Sequence, residues 1–319
     1  MSAATDQDLT PPAYSSNDNP ELTCSVVICT VGRRDLLRGC LGAVFQMIPA
    51  ADEVMVVDNT PGTAAIRAIA AEFGARYVAE PAPGLSRARN CGMAQSLSAV
   101  VAYMDDDATP KRDWLRHILK PFEDPEVAIV TGEVVFHPAT TNAAVEGPPR
   151  TLSNLDPQWF EIATFGGLGL GSNMALRRAA CAGRKVFDER LGSGAPFNIA
   201  EENYAFAFLL ASGFRAVHVP AAVVFHPAKA LNVLQFATCA FAYWLLLLAE
   251  FPNHRAELIR YLFRRWRKLP LPWPRDPQGA GEIMRAGWRL QLRAVVAGFF
   301  LFLRHRGASR QATFVRGQS

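Results

Sequence analysis

Three consecutive carboxylates, Asp105, Asp106 and Asp107, directly follow the apolar run 100–104. In an extended chain successive side chains alternate, so Asp105 and Asp107 point the same way and suit one hard cation or a diphosphate-bound metal. Mutual repulsion among the three calls for a positive partner, and the alternative is a solvated acidic turn. A second acidic pair, Glu201 and Glu202, heads an apolar helical stretch. There a carboxylate serves either proton transfer or interaction with the helix dipole. His226 ends an apolar run just before Pro227, which restricts its backbone, and an imidazole there is either a metal ligand or a satisfied structural residue. Arg87 and Arg89 fall at the start of a predicted helix, where guanidinium and amide donors suit an anionic diphosphate.

Residues so far apart need a scaffold that gathers them. The run 25–30 is short, apolar and β-branched and is followed by Gly32, as in a buried strand that ends in a loop. Helical spacing over 35–47, an apolar run at 53–57 and the turn sequence Asp58-Asn59-Thr60-Pro61-Gly62 come next. A helix over 63–73, a strand at 77–79, a small-residue helix over 85–98 and a strand at 100–104 complete a β-α-β-α-β-α-β rhythm. Such alternation predicts parallel crossover units, which collect ligands beyond the carboxyl ends of their strands. Asp58 and the aspartate triplet both lie at such ends. Beyond them the pattern predicts a helix at 114–122, a strand at 128–135, a loop at 138–157, a helix at 201–211 and a strand at 216–225. The glycine-rich stretch 166–171 lacks GxGxxG spacing, so it is not a dinucleotide fingerprint. Ser172 and Asn173, just after it, line an acceptor or serve a loop-to-strand role.

Taken in order, several of these stretches resemble the family 2 glycosyltransferases of the GT-A fold. They are Ser25 to Thr30 with Arg33-Arg34, Val56-Val57-Asp58-Asn59, Gly84 to Gly92, Asp105 to Asp107, Gly171 to Arg178, Phe187 to Gly192 and Val224-Phe225-His226. The resemblance implies an α/β catalytic domain over 22–228, with a Rossmann-like mixed, mostly parallel sheet flanked by helices. It also implies a nucleotide-sugar donor held by Thr30, Arg33, Asp58, Arg89, Asp105 and Asp106, with Asp58 on the base. Asp107, Asp105 and His226 would hold a divalent metal, Mn²⁺ or Mg²⁺. Ala200-Glu201-Glu202 resembles the family's Gly-Glu-Asp segment, which makes Glu202 the general base for inverting displacement and leaves Glu201 as its competitor. Ser172 and Asn173 fall on the acceptor side. Two other functions stay open: a nucleotidyltransferase, though its glycine-rich phosphate loop is lacking after the first strand, and a non-catalytic scaffold of the same fold.

Composition adds a location. Half of the 319 residues are hydrophobic and 19% are charged, which is apolar for a soluble chain, and the net charge of +4 conceals an arginine-rich C-terminal part. Six cysteines without ligand spacing read as reduced, mostly buried thiols. Residues 1–21, polar and without a secretory pattern, read as a disordered cytoplasmic tail. The stretch 231–251 is long and apolar enough to span a bilayer, yet arginines follow it directly, and positive charge prefers the cytoplasm. For 229–319 we therefore expect an interfacial or re-entrant helical extension at the inner membrane face, with a packed core helix as the alternative. That setting points to a glycan or lipid-linked acceptor. Nucleic acid is not an expected partner, because no motif for it accompanies the basic residues.

Overall fold

The computed structural model describes residues 22–60, 64–137, 147–228, 232–266 and 288–307. Strand β1 (Cys24–Thr30) is buried along its whole length, which explains why its sequence is a continuous apolar run and not an alternation. It pairs in parallel with β2 (Glu53–Asp58) on one side and with β4 (Val100–Asp105) on the other, and β3 (Arg76–Ala79) extends the parallel set beyond β2. The crossovers are α1 (Arg34–Val44), α2 (Ala64–Phe73) and α3 (Leu85–Gln95). The expected helices 35–47 and 85–98 thus stop about one turn early.

The second half closes the sheet differently. After β5 (Thr109–Pro110) and α4 (Trp114–Leu119) come β6 (Val127–His137), β7 (Arg150–Leu152), α5 (Trp159–Thr164), β8 (Asn173–Arg177), α6 (Glu201–Ala211) and β9 (Arg215–Pro227). The strand order is β3-β2-β1-β4-β8-β6-β9-β5, with β7 on β9. Strand β8 runs antiparallel to both of its neighbours, β4 and β6, so the sheet is mixed, while β6 and β9 are parallel to each other. The expected helix 114–122 is α4 followed by a 3-10 turn, Lys120–Glu123. The loop expected over 138–157 contains β7, and its residues 138–146 lie outside the described ones.

Each face of the sheet carries its own core. One is built with α1, α2 and α4 around residues such as Leu37, Ile66 and Trp114, the other with α3, α5 and α6 around Tyr103, Phe160, Phe187 and Phe206. All six cysteines are free thiols, and all but Cys91 are buried.

Among the described residues three α-helices follow: α7 (Val233–Glu250), α8 (Arg255–Trp266) and α9 (Trp288–His305). Asn232 caps α7 by accepting from the Gln235 amide at 3.1 Å. By length and composition α7 qualifies as a membrane span, with a third of it buried inside the structure. Ala242, Tyr243, Leu246 and Leu247 on that helix share the core with α6. Helix α9 approaches α7 so closely at Gly298 that a Cβ there would lie 2.6 Å from the Thr238 carbonyl oxygen. The expected tail 1–21, and Leu231, Lys268 and Trp273, lie outside the described residues, as do the side chains of Arg264, Arg265 and Trp266.

Candidate active site

Strand β4 delivers the aspartate triplet and β9 delivers His226, at the carboxyl ends of both strands. His226 Nε2 lies 3.3 Å from Asp105 Oδ2 and 3.0 Å from Asp107 Oδ1, while its Nδ1 faces the Pro227 carbonyl oxygen at 2.8 Å. One ligand atom from each of Asp105, Asp107 and His226 can be chosen so that all lie within 4.8 Å of one another. Two carboxylates and an imidazole form a donor set that fits Mn²⁺ or Mg²⁺, the nitrogen favouring Mn²⁺. Burial opposes charge on His226, but the hydrogen bonds and charges of Asp105 and Asp107 outweigh it and lift the imidazole to about 9. A proton on Nε2 therefore competes with a cation for the same two carboxylates. Beside this group an open pocket of about 370 Å³ is lined by Leu36, Asp107, Thr109, His137, Phe225, His226 and Pro227.

Strand β4 ends at Asp105, and Asp106 and Asp107 lie in a turn closed by the Ala108 amide on the Asp105 carbonyl at 3.0 Å; Asp106, expected at the donor, is turned into the protein. It is fully buried, accepts from the Thr30 hydroxyl at 2.6 Å and is gripped by both sides of the Arg33 fork. Arg33 also reaches Asp107 Oδ2 at 2.9 Å. Burial, opposed by these partners, leaves the Asp106 carboxyl raised. Thr30 is itself buried, and Arg33 supplies the positive partner that adjacent carboxylates require.

Arg89 on α3 joins the triplet to the acidic pair. Its guanidinium donates to Glu201 Oε1 at 2.8 Å, to the Gly171 carbonyl at 3.1 Å and to Asp105 Oδ1 at 3.4 Å, lying over the rings of Tyr103 and Phe187. Glu201 is thereby committed to a buried ion pair. Its neighbour Glu202 accepts from the Gly171 amide at 3.4 Å, and burial together with the Glu201 charge raises its carboxyl to about 7, against the pull of Arg89. The pair opens α6 after Ala200, whose φ of 64° is left-handed. Gly171 is the residue that inspection of single motifs missed. A Cβ on it would meet the Arg89 guanidinium at 2.7 Å, so a larger residue there would displace the Arg89 fork. The sequence signal was the glycine stretch itself.

Asp58 is fully buried at the end of β2, where its carboxylate accepts from the Thr60 amide at 3.0 Å and the Tyr77 hydroxyl at 3.1 Å. Tyr77 in turn lies under Arg67, 4.6 Å from the ring centre. Asn59 ties down the next loop, donating to the carbonyls of Glu80 and Ala82 and accepting from the Gly84 amide. Asn173, expected on the acceptor side or in a loop-to-strand role, is held by β6, β9 and α4. Its amide is fully buried, donates at 2.8 Å to both the Glu133 and the Ala222 carbonyls, and accepts from the Trp114 indole at 2.8 Å. Ser172 is buried next to it. Arg87 pairs with Glu189 at 2.7 Å on the surface, away from the triplet's own contacts.

The family model described as Glycosyl transferase family 2 matches residues 25–182, the stretch that carries Asp58, Arg89 and the triplet. Among curated proteins, glycosyltransferase AglE of Haloferax volcanii is 33% identical over 122 residues, 35% of this chain and 39% of that protein. Succinoglycan biosynthesis protein ExoM of Rhizobium meliloti is 30% identical over 178 residues, 51% of this chain and 54% of that protein. The matches therefore span about two fifths and about half of those relatives' lengths. Among solved structures, S. aureus TarS 1-349 in complex with UDP-GlcNAc superposes with a TM-score of 0.56 at 13% identity, covering 92% of this chain and 93% of that one. Mannosyltransferase PcManGT from Pyrobaculum calidifontis, in complex with GDP-Man and Mn²⁺, gives a TM-score of 0.51 at 18% identity over 91% and 76% of the two chains. These likenesses show the GT-A fold, and the sequence match over residues 25–182 assigns that stretch to the family 2 glycosyltransferases.

Proposed function

We propose that this protein transfers a sugar from a nucleoside-diphosphate sugar to an acceptor hydroxyl by inverting displacement, with Glu202 as general base. The observation that carries this reading is the division of labour in the acidic pair. Arg89 holds Glu201, while Glu202 accepts from the Gly171 amide, and burial with the Glu201 charge raises its carboxyl, which suits it to gaining a proton. The acceptor oxygen bonds to the anomeric carbon as its proton passes to Glu202, and the bond from that carbon to the diphosphate oxygen breaks to release the nucleoside diphosphate. Asp58 faces the nucleotide base, and Asp105 with Arg89 stands on the diphosphate side. Asp105, Asp107 and His226 would hold Mn²⁺ or Mg²⁺, which when bound neutralises the leaving diphosphate. The apolar and arginine-bearing C-terminal helices support a peripheral position at the inner membrane face and an acceptor that is a lipid-linked glycan or a lipid. The glycan-biosynthesis name of one relative accords with that acceptor class.

The test is a panel of nucleotide-sugars with Mn²⁺, read as nucleoside diphosphate release. Pyrophosphate release would show a nucleotidyltransferase instead, and no turnover with any donor would show a scaffold. Glu202→Gln is expected to lower kcat by about 10²–10⁴-fold with donor affinity retained. Full turnover in that variant removes Glu202 from the base role.

A further inference from the structure

Helix α9 is apolar on two opposite faces. On the inner one, Ala294 is buried, Gly298 packs against the Thr238 carbonyl, and Leu301 and Phe302 pack on the core. On the outer one, Leu292, Val295, Val296, Phe299, Phe300 and Leu303 stand 38–64% exposed. Their spacing of i, i+3, i+4, i+7, i+8 and i+11 makes a continuous stripe along the helix. A helix on the surface of a soluble protein needs one apolar face, not two.

We propose that this outer stripe of α9 is the surface on which the protein docks to an anionic lipid bilayer. The charge pattern selects that occupant. At 100° per residue, Arg293 and Arg304 fall on one flank of the stripe, and Arg306 follows beyond the helix. Residues 288–307 contain no aspartate or glutamate. A second copy laid on the same face would bring arginines to arginines without a carboxylate from either helix to pair them, whereas lipid phosphates match them directly. With the helix lying in the interface, the six apolar side chains enter the acyl boundary and the arginine stems run along its edge to the headgroups. This inference rests on the peripheral location given above and is independent of the transfer chemistry.

The experiment uses the full chain and vesicle co-sedimentation, comparing phosphatidylcholine alone with a phosphatidylcholine and phosphatidylglycerol mixture. Because Phe299 and Phe300 are exposed, the double variant Phe299→Asp/Phe300→Asp is expected to fold and to lose vesicle binding by tenfold or more. Arg293→Glu/Arg304→Glu is expected to lose the preference for anionic vesicles, about fivefold or more per arginine. Release of nucleoside diphosphate to water or a soluble acceptor stays at wild-type level in both variants. Wild-type vesicle binding by the phenylalanine variant overturns the surface assignment while leaving membrane association intact. Failure of the unmodified chain to bind any vesicle overturns both. A chain that sediments as a dimer, and becomes a monomer in the phenylalanine variant without ever binding vesicles, assigns the stripe to self-association. Vesicle binding without turnover, in contrast, rejects only the transfer chemistry.

Discussion

Arg89 carries donors in a fixed planar fork, and it uses them on three separate stretches of chain: Asp105 on β4, the Gly171 carbonyl and Glu201 on α6. The fork decides which glutamate is engaged and which is available. Glu202 is left with its carboxyl raised to about 7 by burial and by the Glu201 charge. A base must be ionised to act, so kcat/KM is expected to rise with pH through about 7 and to fall tenfold per pH unit below it. The same shift has a stability consequence of opposite sense. The folded chain binds a proton at Glu202 that the unfolded chain releases near the ordinary glutamate value of about 4.5, so stability is lost as pH rises from about 4.5 through 7. Glu202→Gln removes that loss. Its melting temperature is expected to exceed that of the unmodified protein by a few degrees at pH 8, with the difference vanishing at pH 4. Equal melting temperatures at pH 8 would show that the carboxyl is solvated and not poised.

Helix α6 begins from a backbone that favours glycine, although Ala200 stands there. A left-handed residue with a Cβ costs about 1–2 kcal/mol, and the strain sits directly before the two glutamates. Ala200→Gly is expected to raise stability by about 1 kcal/mol in urea denaturation; a loss instead would mean that the Ala200 Cβ contacts outweigh the strain. This tension at one element start also shows what sequence patterns convey. Strands β1, β2 and β4 were legible because burial on both faces writes an apolar run, and α6 because an acidic first turn precedes an apolar stretch. Helix α5 was not, since it opens after left-handed Gln158 without a side-chain cap and spans six residues. Strand β8, five residues long, draws its definition from β4 and β6 on either side, contacts that no local spacing records. The site divides along the same line. The spacing of Asp105 and Asp107 was legible, although a turn and not an extended chain brings both to His226, whereas the burial of Asp106 on Thr30 and Arg33, and the Asn173 bond to Trp114, depend on partners 59 to 76 residues away.

At the scale of the whole molecule, the catalytic body and the C-terminal helices meet at a charged junction beneath the acidic pair. Arg190, only 4% exposed, donates to both oxygens of Asp188 and to Glu250 at the end of α7 at 2.6 Å, with the Arg306 carbonyl beyond α9 at 3.5 Å. Tyr204, two residues after Glu202, donates to the other oxygen of Glu250 at 2.6 Å. One guanidinium thus links the loop before α6 to α7 and α9, so the apolar extension is anchored to the element that carries Glu202. Arg190→Met would keep most of the volume but leave Asp188, almost fully buried, without its counter-charge. Breaking such a pair costs about 3–5 kcal/mol when both members are buried, and the partial exposure of Glu250 reduces this to about 2–4 kcal/mol. The expected result is a lower denaturation midpoint for the entire chain, read by far-UV circular dichroism and by nucleotide binding alike, because α7 shares its core with α6. Two separated transitions would show that the extension unfolds by itself and that the shared core is too weak to couple it. An unchanged midpoint would show that Asp188 and Glu250 find water or other donors, and that the junction does not hold the two parts together.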